Sequence, residues 1–135
     1  MGRGLSHLQR IALEHALANR TRERRTGYER AGADVYHYEI LAAAYGWEPT
    51  HAPLRAESGA EHRTPLAWHF SPSAIGRAVY EAATTATTRA LRRLEERGLV
   101  TRRAGREGPR SWSGADLTPA GAALAAQLLR GLPNE

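Results

Sequence analysis

Residues 84–103 read TTATTRALRRLEERGLVTRR, and their spacing predicts a helix that runs into a strand. At 3.6 residues per turn, Thr87, Ala90, Leu91 and Leu94 share one apolar stripe, while Thr85, Thr88, Arg89 and Arg92 share a polar stripe almost opposite. One side is suited to packing and the other is offered outward. The offered side combines hydroxyls with guanidinium groups, which hydrogen-bond phosphates and, in the case of arginine, the O6 and N7 acceptors of guanine in the major groove.

Charge is concentrated in the same place. Residues 84–113 hold eight Arg (89, 92, 93, 97, 102, 103, 106, 110) against three Glu (95, 96, 107), a local excess equal to the whole net charge of +5. The rest of the chain is balanced, so the electrostatic footprint expected for a polyanionic partner falls within one segment. The duller alternative for such a run is a solvated face with no partner. All nineteen basic residues are arginine, and their planar, forked donors favour phosphate contact.

Gly98 is a helix stop, and Val100 to Arg103 extend as a short strand. Gly105, Gly108 and Pro109 supply turn residues between basic positions, and residues 111–117, SWSGADL, return as the partner strand, with Trp112 and Leu117 as its large apolar residues. Thr118 followed by Pro119 is a hydroxyl cap with proline at the first helical position, which starts a C-terminal helix over 119–131. Upstream, Ser71 and Pro72 form the same kind of start, with Ile75, Val79 and Tyr80 as the packing face and Glu81 to Ala83 as the turn into the next helix.

The run from Pro72 to Leu128 resembles a winged helix-turn-helix domain of the kind found in the MarR and PadR groups of bacterial transcription regulators. Three features carry the resemblance: a helix-turn-helix ending in RALRRLEERGLVTRR, a glycine-containing basic hairpin, and the LTPAG step into the following helix. It implies a mainly α fold with a small β-hairpin wing (α+β), with a recognition helix at about 84–97 in the major groove and a wing at 102–112 on the backbone or minor groove. The base-edge candidates are then Thr84, Thr85, Thr88 and Arg89. Arg92 and Arg93 are placed at base or phosphate, and the wing residues Arg102, Arg103, Arg106 and Arg110 at the backbone, where they supply affinity more than specificity. Relatives commonly carry Ser or Thr at the position of Ala83 as the helix cap; here Thr84 takes that role one residue later.

The N-terminal third predicts two helices. Ser6 caps HLQRIALEHALANR, with Leu5, Leu8, Ala12 and Ala16 on one side and Leu13 and Leu17 widening the apolar face. Asp34 caps VYHYEILAAAY, which ends near Gly46 and packs through Val35, Tyr38, Leu41 and Tyr45. Residues 34–135 are expected to form the winged domain, this second helix serving as its first core helix, and residues 1–33 an added helix and basic linker, a candidate dimerisation arm. With the C-terminal helix (Leu124, Leu128, Leu129, Leu132) that arm would make a homodimer able to read palindromic half-sites; the alternative is that both helices complete a monomeric core. Segment 20–30, with five Arg and two Glu, reads as a solvated linker or a backbone-touching arm. Residues 46–65 read as a long loop, after which 66–70, LAWHF, supply a small strand to pair with the wing.

Several classes are excluded or disfavoured. Zero cysteines rule out disulfides and thiolate metal sites, and no apolar run nears the roughly 20 residues needed to span a bilayer, so a cytoplasmic, nucleoid-associated protein is expected. His51, His62 and His69 with Glu57 and Glu61 match no standard metal spacing, and no cofactor or metal is expected. No GxSxG elbow, phosphate-cradling glycine loop or paired carboxylate spacing indicates an enzyme. The expected partner is double-stranded DNA, in transcriptional regulation or else in plasmid or phage replication or partition; a protein-interaction winged helix is the rival class. Trp47, Trp68 and several Tyr are the residues that could line a small-molecule effector pocket, though aromatics of this kind more often form plain core.

Overall fold

In a computed structural model of the chain, which describes residues 4–26, 33–48, 50–51, 68–107 and 110–131, the first helix, α1 (His7–Thr26), opens with a reciprocal cap. The Gln9 N–H donates to Ser6 Oγ at 3.2 Å, and the Ser6 N–H donates to Gln9 Oε1 at 2.9 Å, which satisfies two donors that the helix itself leaves free. Ser6 is therefore the cap that the sequence predicts. The buried face of α1 comprises Ala12, Leu13 and Ala16, and it packs against α5 (Pro119–Leu129), α2 (His37–Tyr45) and α4 (Arg77–Glu96).

The chain next enters β1 (Val35–Tyr36), a strand that corrects two expectations. Helix α2 begins at His37, because the β-branched Val35 and the aromatic Tyr36 are extended and pair with β5 (Arg110–Leu117), Val35 opposite Ala115 and Tyr36 opposite Gly114. The Asp34 carboxylate caps no helix. It accepts the Leu117 N–H at 2.9 Å and pairs with Arg20 at 3.1 Å, while the Tyr36 N–H is taken by Glu39 Oε1 at 2.8 Å. The third strand beside the hairpin is thus 35–36, not 66–70. Within the latter, β3 (Trp68–His69) pairs with β2 (Thr50–His51) as a separate two-stranded ladder, and the rest of the expected 46–65 loop lies mainly outside the described residues.

Ser71 accepts the Ala74 N–H at 3.3 Å and starts α3 (Pro72–Ile75), as expected from its hydroxyl and the proline behind it. The break that follows falls at Gly76 (φ 110), a conformation open to glycine, and α4 then runs unbroken for 20 residues. No turn occurs at 81–83. Glu81, Ala82 and Ala83 carry no turn chemistry, and the Ala83 carbonyl accepts Thr87 Oγ1 at 2.9 Å within the helix. Val79, expected to pack, is 56% exposed, whereas Ile75 and Tyr80 do pack against a small core of Leu41, Phe70 and Ala83.

Helix α4 ends where Gly98 (φ 77) turns the chain and the Leu99 N–H returns to the Leu94 carbonyl at 3.0 Å. The hairpin is longer than expected: β4 (Val100–Glu107) and β5 pair along eight residues each, from Val100 opposite Leu117 to Glu107 opposite Arg110. Thr118 then caps α5 by accepting the Gly121 N–H at 3.0 Å, and its own hydroxyl donates to the Gly98 carbonyl at 2.7 Å. A methyl group at Gly121 would overlap the Leu99 carbonyl, so this helix sits as close to the hairpin as backbone allows.

These elements make a mainly helical α+β fold with a three-stranded antiparallel sheet ordered β1-β5-β4. The main core gathers Leu13, Val35, Ile40, Leu91, Leu94, Val100, Leu117 and Leu128, so α1 is part of the same core as the hairpin and α4. Each such leucine buried contributes about 1.5–3 kcal/mol relative to exposure.

Candidate nucleic-acid interface

The burial pattern divides α4 as its spacing predicts. Thr87, Ala90, Leu91 and Leu94 are buried, and Ala78, Ala82, Thr85, Arg89, Arg92 and Glu96 form an exposed stripe along the other side, with Arg93 beside it. Arg89, Arg92 and Arg93 form no ion pair among the described residues. Three guanidinium groups therefore project from one helix with their donors uncommitted.

The four threonines do not share that face. Thr85 is exposed, but Thr84 is half-buried, and its hydroxyl oxygen is buried without a hydrogen-bond partner among the described residues. Thr84 is therefore no helix cap, and its hydroxyl is not offered outward, because α4 starts seven residues earlier than expected and position 84 lies in mid-helix. Thr88 is half-buried and lies 3.2 Å from His37 Nε2. Burial in this contact pushes the His37 imidazole below its ordinary value of 6.5.

The hairpin places Arg102 and Arg103 at the surface, each already engaged. Glu95, on the last turn of α4, accepts both the Arg102 N–H and its Nε–H at 3.0 Å. Those two bonds hold the Glu95 carboxyl below its usual range. Arg103 donates to Asp116 Oδ2 at 2.8 Å, a bond that raises the guanidinium pKa further, and the other oxygen of Asp116 accepts the Asp34 N–H at 2.8 Å. A chain of charged contacts thus links Arg20, Asp34, Asp116 and Arg103, from the first helix to the hairpin. In the backbone ladder Arg106 stands opposite Ser111 and Arg110 opposite Glu107; the side chains of Arg106, Arg110 and Trp112 lie outside the description.

Between α4, the start of α2 and the hairpin lies a cleft of about 300 Å³, lined by His37, Thr88, Leu91, Arg102, Arg103, Ala104, Ser113 and Gly114. Its apolar floor and basic rim suit an anionic group. His37, Glu95 and Asp116 are the site residues that sequence reasoning missed. His37 meets Thr88 across 51 positions, and nothing local signals that contact.

Other expectations find less. Trp47 stacks between Tyr45 and Tyr80 at centroid distances of 5.0 and 5.9 Å and meets Phe70 edge-on, so it fills a core, and no effector pocket opens on it among the described residues. Among the described residues no three metal-ligating side chains come together, and no helix is long and apolar enough to cross a membrane. Compared with known proteins, the chain matches no family model, no curated protein and no solved structure.

Proposed function

We propose that the chain is a winged helix-turn-helix protein that binds duplex DNA as a homodimer and regulates transcription. The observation that carries this reading is the outward face of α4, where Arg89, Arg92 and Arg93 stand exposed and unpaired among the described residues, next to Thr85 and directly before a basic hairpin. The order of elements supports it: helix, short strand, helix, long helix, then hairpin, with the short strand closing the sheet. In this reading α1 and α2 are the first two helices of the domain, α4 reads the major groove, and the hairpin is the wing. At about 1.5 Å per residue α4 is about 30 Å long, enough to follow the groove over several base pairs. The α1 and α5 edge, with Leu129 52% exposed, is the surface assigned to the second copy.

Selection from random duplexes with the purified protein, followed by salt titration on the enriched site, tests the reading. The expected product is a palindrome, and its affinity falls steeply with salt. Replacing Arg89 and Arg92 together by alanine is expected to weaken binding and to flatten the logarithmic salt slope by about 1.8, that is about 0.9 for each phosphate that an arginine no longer neutralises. Absence of duplex binding at low salt would remove DNA as the partner and leave the protein-interaction class.

A further inference from the structure

The hairpin arginines differ from the helix arginines in one respect that the fold does not require. Both described hairpin guanidinium groups are held by carboxylates, Arg102 by Glu95 and Arg103 by Asp116, whereas Arg89, Arg92 and Arg93 are held by none among the described residues. The Arg102 and Glu95 side chains are 39% and 37% exposed, so their pair is solvated and weak enough to be exchanged. Glu95 also sits on the last turn of α4, at the corner where a polyanion lying along Arg89, Arg92 and Arg93 would meet the hairpin.

Resting on the DNA-binding reading above, we propose that Glu95 is a specificity-determining residue that acts as an internal stand-in for phosphate. It occupies Arg102 until a duplex seated on α4 brings a backbone phosphate close enough to take its place. On a poorly seated duplex the exchange does not occur, and Arg102 adds nothing to affinity. On the correct site the phosphate displaces the carboxylate, and the wing engages. Asp116 holds Arg103 in the same manner but also accepts the Asp34 N–H, so it is tied into the sheet and is the less exchangeable of the two.

Glu95→Gln tests this, because glutamine keeps an acceptor for the Arg102 N–H while removing the charge. The variant is expected to bind random-sequence duplex roughly three- to ten-fold tighter at low salt, with a salt slope steeper by about 0.9, while affinity for the selected site changes little. The gain is expected to vanish in an Arg102→Ala background. A gain that persists there comes from net charge alone and overturns the proposal, as does unchanged or weaker binding by Glu95→Gln, which would mean that Glu95 positions Arg102 for DNA. The same exchange can be followed in the unaltered protein by the Arg102 Nε–H resonance: it is expected to move when the selected duplex is added and to stay put with random duplex, and an unmoved resonance on the selected site counts against the exchange. Duplex binding without any Glu95 effect defeats this proposal alone; no duplex binding by any variant defeats the reading beneath it as well.

Discussion

His37 is the residue whose protonation state is tied most closely to the fold. It lies at the first position of α2, half-buried against Thr88 at 3.2 Å, and burial lowers its folded pKa from 6.5. Above pH 6.5 the imidazole is neutral in folded and unfolded chains alike, so the stability is fully present. As pH falls, the unfolded chain takes up the proton first, and stability is lost through the folded pKa. The melting temperature is therefore expected to drop between pH 7 and 5, and less so in His37→Gln. Titration of the ring by NMR gives the direct check, since a midpoint at or above 6.5 would contradict the burial argument. Little at this scale is legible in the sequence: Arg89, Arg92 and Thr85 fall on the outer face because helical spacing alone decides it, but the partners of Thr88, Arg102 and Arg103 depend on which distant element arrives beside them.

At the scale of elements, the long helix α4 sets the register of everything that faces outward. Caps written within three residues are readable, as Ser6 with Gln9, Ser71 with Ala74 and Thr118 with Gly121 demonstrate. A turn at 81–83 does not form, because alanine-rich sequence continues a helix unless something stops it, and the stopping residue is Gly76. Ala82→Pro distinguishes the two arrangements. Ala82 is exposed and six residues into α4, so proline there removes a helical hydrogen bond and should cost about 3 kcal/mol or more. Denaturant unfolding measures the cost; near-wild-type stability would restore a turn at that point.

Across the whole molecule, the first helix is a structural member of the fold. Its apolar stripe is readable, but a stripe does not say whether it meets its own chain or a second one. In the structure Leu13 is fully buried beside residues of β1, α4 and α5. Leu13→Ala is accordingly expected to destabilise the protein by about 2–5 kcal/mol, seen as a lower midpoint in urea at constant slope. A loss below about 1 kcal/mol would return α1 to the status of a separable arm.

The two-residue strand β1 joins residues about eighty positions apart, Val35 to Ala115 and Tyr36 to Gly114. Gly114 lets the strands meet, since a side chain there would overlap the Val35 carbonyl. Closing so wide a loop costs chain entropy that a ladder of two pairs recovers only after its neighbours are in place. The segment from α4 through the hairpin to α5, whose contacts are mostly local, can therefore assemble first, with the amino-terminal third docking onto it late in folding.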